Sequence, residues 1–279
     1  MSATISRLLL YPVKGCRGVA LRAAHIAPTG LAVGDIGDRE WMVVDHHGEF
    51  LSQRELPRMA LIESSLTSTA LRLSAPGMPA LDIPFKSQGA LVRVRVWDDE
   101  LDGVTQGDFV DQWITDFLDH RARLIRFDPH ARRISQRRYT GATEAPYKFA
   151  DAFALLVTSE GSLTDVNTRL QRQGQAPVDI DRFRPNIVID GVEPFEEDYA
   201  RDLRVGDALL ELVKPCVRCT VPSVDPTTGE QGTEPGDTLA VYRNNAAAGG
   251  VTFGVNAIVA RGAGTELRVG DPAALTLRF

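Results

Sequence analysis

Three cysteines, Cys16, Cys216 and Cys219, are too few for the disulfide framework of a small secreted domain. Positive charge is not in excess either, since 31 Lys and Arg against 37 Asp and Glu leave a net charge of -6. That balance argues against general affinity for nucleic acid or anionic lipid, because counterion release needs a basic surface. Long apolar runs are missing. The stretch Ile5 to Tyr11 is too short for a signal peptide or a membrane span, and no cleavage signature follows it. The expected protein is therefore cytoplasmic, with neither nucleic-acid nor membrane partners. Low-complexity tracts are absent, and 279 residues leave room for two domains of ordinary size.

What the sequence does have is alternation. Residues 5–11 run to Pro12, and 18–26, 40–45, 59–66, 69–73 and 91–97 read as further short strands. Val92, Val94 and Val96 fall on one face of the last, Arg93 and Arg95 on the other. Asp45-His46-His47-Gly48 has the composition of a hairpin tip. A helical period follows over Phe109, Val110, Trp113, Ile114, Phe117 and Leu118, with Asp108 as the expected N-cap. A strand over 122–127 closes a first domain, 1–125. The basic connection 128–148, with Arg132, Arg133, Arg137 and Arg138, reads as a solvated surface or a rim that steers an anionic partner.

In the second domain, 126–279, an apolar strand over 153–157 leads through Thr158-Ser159 into a helix with Leu163, Val166 and Leu170 on one face. Those hydroxyls read as an N-cap or as an anion site at a helix N-terminus. Arg184 and Asn186 stand at the mouth of another strand, and 208–213, 237–243, 251–259 and 265–278 read as strands. Many strands, few helices and no repeated βαβ unit predict a mainly β, α+β fold of barrel character.

The chemistry concentrates in Lys214-Pro215-Cys216-Val217-Arg218-Cys219, expected on a loop where Pro215 ends the preceding strand. A guanidinium beside Cys219 favours the thiolate, the form that acts as nucleophile or soft metal ligand. Pro222 and Pro226 disfavour the helix that a thioredoxin-like pair would need. No second Cys or His pair offers the spacing of a structural zinc site. Two readings remain open: a pair of small buried hydrophobes, or a thiolate on a metal whose other ligands belong to a cofactor.

Tyr11-Pro-Val-Lys14-Gly-Cys16, Gly37-Asp-Arg39-Glu-Trp41, Arg182-Phe-Arg-Pro-Asn186 and Val217-Arg-Cys219 through Val224-Asp-Pro-Thr-Thr-Gly229 occur in this order. Together they resemble the MOSC proteins of the molybdenum cofactor, which include the mitochondrial amidoxime-reducing component and bacterial reductases of N-hydroxylated compounds. The resemblance spans nearly the whole chain and implies an N-terminal MOSC β-barrel domain followed by a β-barrel MOSC domain. It implies a molybdenum-molybdopterin cofactor, with Cys219 as metal ligand and catalytic centre. Implied cofactor contacts are Lys14, Gly15, Arg39, Thr158, Ser159, Asn167, Arg184, Asn186, Arg218 and Phe253. Phe253-Gly-Val-Asn256 resembles a late segment that closes the pocket, Cys216 stands beside the ligand or is structural, and Cys16 is a packing residue.

The implied activity is reduction of amidoximes, hydroxylamines and N-oxides to amines. The four further cysteines of a plant-type ferredoxin domain are not in the sequence. Electrons are therefore expected from separate proteins: a ferredoxin, a cytochrome b5-like protein or a flavin reductase. Asp225 is a candidate proton donor, with turn formation before Pro226 as its plainer role. The alternative is a cofactor carrier or sulfur-transfer protein with a persulfide on Cys219. A metabolite-binding module without activity is a third reading.

Overall fold

Seven strands close into a ring in a computed structural model that describes residues 2–86 and 89–278. Around the barrel they run Leu155–Ser159, Ile187–Asp190, Ser2–Leu10, Pro272–Leu277, Ala200–Val205, Ala208–Val217 and Gly250–Arg261, and the last pairs back onto the first. A ring of seven cannot be antiparallel throughout. Its one parallel contact joins Leu155–Ser159 to Ile187–Asp190, and parallel neighbours need a crossover, here the helix Glu160–Arg172. The barrel core is aliphatic, with Ile5, Leu8, Leu10, Val157, Ile187, Leu203 and Leu210 among its members.

Ser2–Leu10 lies between Ile187–Asp190 and Pro272–Leu277, so the start of the chain is a stave in a barrel built mostly from the second half. The rest of the first half forms a five-stranded sheet, ordered Leu91–Val96, Asp99–Thr105, Arg123–Phe127, Trp41–Val44 and Val13–Lys14, with two smaller sheets beside it. The helix Asp108–Leu118 buries Trp113, Ile114 and Phe117 with Trp41, Val43 and Leu124 in one core. Val94 and Val96 are buried and Arg93 and Arg95 exposed, as period-two alternation requires. Among the described residues no helix is long and apolar enough to cross a membrane.

Several expectations are corrected. Pro215 does not end a strand: Ala208–Val217 runs through it, with register shifts on both sides that free the ladder from needing its missing N–H. Residues 237–243 lie in and just after a helix, Gly236–Tyr242, because Leu239 and Tyr242, three apart, meet the same apolar cluster. Asp108 is the first helical residue and Gly107 the cap; Phe109 faces solvent. The 59–66 segment splits into a 3-10 turn, Pro57–Leu61, and a strand, Glu63–Leu66. Arg133 is no surface cation. It is buried on Tyr147, donating to Asp99 at 2.8 Å and to the carbonyls of Lys148 and Ala150 at 2.7 Å.

Candidate functional site

Where the five-stranded sheet meets the barrel, a cleft opens that encloses about 860 Å³ of space, its open mouth included. The short strand Val13–Lys14 delivers Lys14 to its floor, 7% exposed and paired with Asp151. Burial pulls the Lys14 pKa down, against the raising pull of the Asp151 carboxylate. Asp151 is itself largely exposed, and Lys14, through charge and hydrogen bond, together with Trp97 Nε1 holds its carboxyl below the usual range. Gly15 turns the chain at φ +82°, where a Cβ would come 2.8 Å from Met59 Cε. Its carbonyl accepts from Gln53 at 2.6 Å.

Two guanidiniums share the buried ring of Tyr11, Arg39 at 4.4 Å and Arg184 at 4.3 Å from its centroid. Arg39 pairs with buried Asp38 and donates to Asn186 Oδ1 at 3.3 Å and to the Arg184 carbonyl at 3.2 Å. Asn186 also accepts from Leu156 N and donates to the Leu9 carbonyl, which locks Arg39 to two barrel strands. Arg184 donates to the Cys16 carbonyl at 2.6 Å and, among the described residues, meets no carboxylate. Burial lowers its pKa, and the charge on Arg39 lowers it further. Five non-glycine residues among those described have left-handed backbones, and three of them, Arg39, Trp97 and Arg184, line this cleft. Strain of that kind collects where the surrounding structure fixes a side chain for use.

The second and third cysteines reach the same cleft. Cys216 is half-buried within the Ala208–Val217 strand, and Cys219 is exposed just beyond it, before the 3-10 turn Val221–Ser223. Neither is a buried hydrophobe, which removes that reading. Arg218 between them donates to Cys216 Sγ at 3.0 Å and to the Phe183 carbonyl at 2.9 Å, and its buried Nε has no partner among the described residues. Cys16 is fully buried, and burial pushes its thiol up to about 12.

Among the described residues no cluster of three His, Cys, Asp or Glu could hold a metal. A group that carries most of a metal's donors itself would need little more than one thiolate from the protein. The cleft fits such a group: Cys219 offers sulfur, and five cations, Lys14, Arg39, Arg54, Arg184 and Arg218, line it beside one carboxylate, Asp151, with Asp38 buried behind Arg39, which suits an anionic ligand.

The MOSC N-terminal beta barrel domain matches residues 2–121 and the MOSC domain residues 144–274. The chain is 34% identical to mitochondrial amidoxime reducing component 2 of Rattus norvegicus, over 96% of this chain and 82% of that one. Against component 1 of Homo sapiens the identity is 37%, over 86% and 72%. The chain belongs to the MOSC family of the amidoxime-reducing components.

Of the eleven residues expected at the site, this MOSC chain brings Lys14, Gly15, Arg39, Arg184, Asn186, Arg218 and Cys219 together. The other four lie elsewhere. Thr158 is buried in a barrel strand, and Asn167 spends its amide on the Val178 backbone at 2.8 and 2.9 Å. Phe253 stacks on Phe183, centroids 3.7 Å apart, in the core behind the cleft, while Asn256 lines the wall. Asp225 is a turn former: it accepts from Thr227 N at 2.7 Å, pairs with Arg182 at 2.8 Å and stays outside the cleft. Asp151, Trp97, Arg54 and Phe50, which the sequence did not flag, are in it.

Ser159 caps the helix, accepting from Ser162 N at 3.0 Å, and the group that fills that helix end is the carboxyl of the chain's own Glu197. Three contacts link Ser159 Oγ, Ser162 Oγ and the Glu197 carboxyl, at 2.7 to 2.9 Å. An ionised Glu197 leaves two hydroxyl hydrogens for three contacts, whereas a neutral one supplies the third. Burial pushes its pKa up from 4.5, against the two serine bonds. The folded chain thus holds this proton more tightly than the unfolded one. Its contribution is full below about pH 4.5 and is lost as pH rises through the folded value. Glu197→Gln is therefore expected to gain on wild type as pH rises above about 4.5, read from thermal melts across a pH series. A difference between variant and wild type that stays flat as pH rises above about 4.5 would show a carboxylate at this position.

Proposed function

We propose that this chain is a molybdopterin-dependent reductase of N-hydroxylated compounds, converting amidoximes, hydroxylamines and N-oxides to amines. The names of its relatives point to that substrate class. The observation that carries the reading is the meeting of one exposed thiol, Cys219, with Lys14, Arg39, Arg184 and Arg218 in one cleft.

Cys219 is the protein's ligand to the metal, and Arg39, Arg184 and Lys14 balance the negative charge of the cofactor. When bound, that cofactor supplies a centre able to exchange two electrons and an oxygen atom. Asn186 and Asp38 keep Arg39 in place before anything binds, so the charge-assisted contacts form with little reordering. Arg218 bridges Cys216 and the Phe183 carbonyl, which fixes the backbone next to Cys219. Reduction consumes two electrons and two protons and releases water. The cleft is open to solvent, and the protons are drawn from water at its mouth. Electrons come from a separate donor: a ferredoxin, a cytochrome b5-like protein or a flavin reductase.

The test is an assay of benzamidoxime with a viologen dye as reductant, on protein made in a host that synthesises molybdopterin. Benzamidine is the expected product. Cyanide-releasable sulfur in protein without molybdenum and without turnover would move the reading to a sulfur carrier.

A further inference from the structure

The strands Leu91–Val96 and Asp99–Thr105 are joined by a two-residue turn, Trp97–Asp98. Such turns favour Asn or Gly because their backbones are left-handed, yet here a tryptophan sits at φ +56°. For so bulky a residue that is a genuine outlier. The indole is also fixed. Its Nε1 donates to Asp151 at 2.9 Å, the Phe50 ring lies 4.9 Å away at 54°, and the Arg54 guanidinium stands 4.7 Å from its centroid. Despite these contacts Trp97 stays 44% exposed, and it lines the cleft that holds Cys219. The turn tolerates strain to keep a rigid apolar plate at the edge of a strongly cationic site.

We propose that Trp97 is a specificity-determining residue that favours aryl over aliphatic N-hydroxylated substrates, an inference that rests on the reductase reading above. Lys14, Arg39, Arg184 and Arg218 distinguish little between a phenyl and a methyl substituent. An indole does, because an aryl ring stacks on it in offset or edge contact while a methyl group covers little of it. Arg54 over the same indole and Asp151 at its Nε1 hold the plate in place, so binding costs little side-chain ordering.

Trp97→Gly and Trp97→Asn test this, since both residues accept the left-handed backbone and leave the hairpin intact. The readout is kcat/KM for benzamidoxime over that for acetamidoxime in the loaded enzyme, together with calorimetric affinity for each compound without reductant. In both variants the ratio is expected to fall about tenfold, with benzamidoxime affinity falling in step and acetamidoxime affinity much less. A ratio within about twofold of wild type, or equal weakening of both ligands, overturns the assignment. Wild-type protein that reduces neither compound sinks the reductase reading instead. Calorimetry then still decides for Trp97: selective weakening of benzamidoxime supports the aryl site, and equal or absent weakening ends it.

Discussion

Replacing Cys219 with serine is expected to abolish benzamidoxime reduction and to leave less than about a tenth of the wild-type molybdenum, because a hard hydroxyl is a poor ligand where a soft thiolate is required. Cys216→Ser is expected to keep the metal. The two thiols share a cleft but not an environment. Cys216 belongs to the Ala208–Val217 strand and takes a hydrogen bond from Arg218, so its sulfur is already used by the protein. Cys219 lies past the strand end, exposed, with no hydrogen bond to its sulfur among the described residues. Loss of the Arg218 contact in Cys216→Ser should slow turnover by about 10–100-fold, as loss of a ligand's supporting partner does. Elemental analysis of both variants decides the matter, and equal metal loss in the two would reverse the assignment.

The second large effect separates two arginines that look alike in the sequence. Arg39→Ala leaves Asp38, 1% exposed and otherwise held by Tyr11 N at 2.9 Å, as a buried unpaired carboxylate. That is expected to cost the cofactor-free chain about 3–5 kcal/mol, in addition to cofactor retention. Arg184→Met removes a guanidinium with no carboxylate partner among the described residues, whose charge burial already disfavours. Its cofactor-free stability should therefore move by no more than about 1–2 kcal/mol, the scale of one hydrogen bond, while molybdenum occupancy falls about tenfold. Denaturant melts of the apo variants beside metal counts of the loaded ones make the comparison. Full occupancy in Arg184→Met would reduce Arg184 to a packing residue over Tyr11.

Much of this was legible in the sequence, and the unread remainder has physical causes. The alternation of Val92, Val94 and Val96 and the helical stripe of Val110, Trp113, Ile114 and Phe117 are local patterns, and they fold as they read. The Cys-x-x-Cys and the two Arg-bearing motifs stood out because charge and thiol are rare combinations on strand ends. Local pattern failed where distant residues decide. A strand running into a helix through Thr158-Ser159 looks the same whether an external anion or a carboxyl of the chain fills the helix end, and Glu197 lies 38 residues beyond Ser159. Asp151 and Trp97 became visible only in space, the one through Lys14, the other through a left-handed turn that no motif announces. Pro215 misled because a proline within a strand is tolerated only where the ladder is already irregular, and the register shifts flanking it do not show in the sequence.

The central claim is that one protein sulfur and a ring of cations hold a metal delivered inside an organic anion. The most direct test is a count of molybdenum and of molybdopterin, by elemental analysis and pterin fluorescence, on the wild-type chain from a host that makes the cofactor. The predicted result is about one of each per chain, set by the single thiolate at Cys219. Protein from such a host that carries no pterin and leaves Cys219 free to alkylation would contradict it.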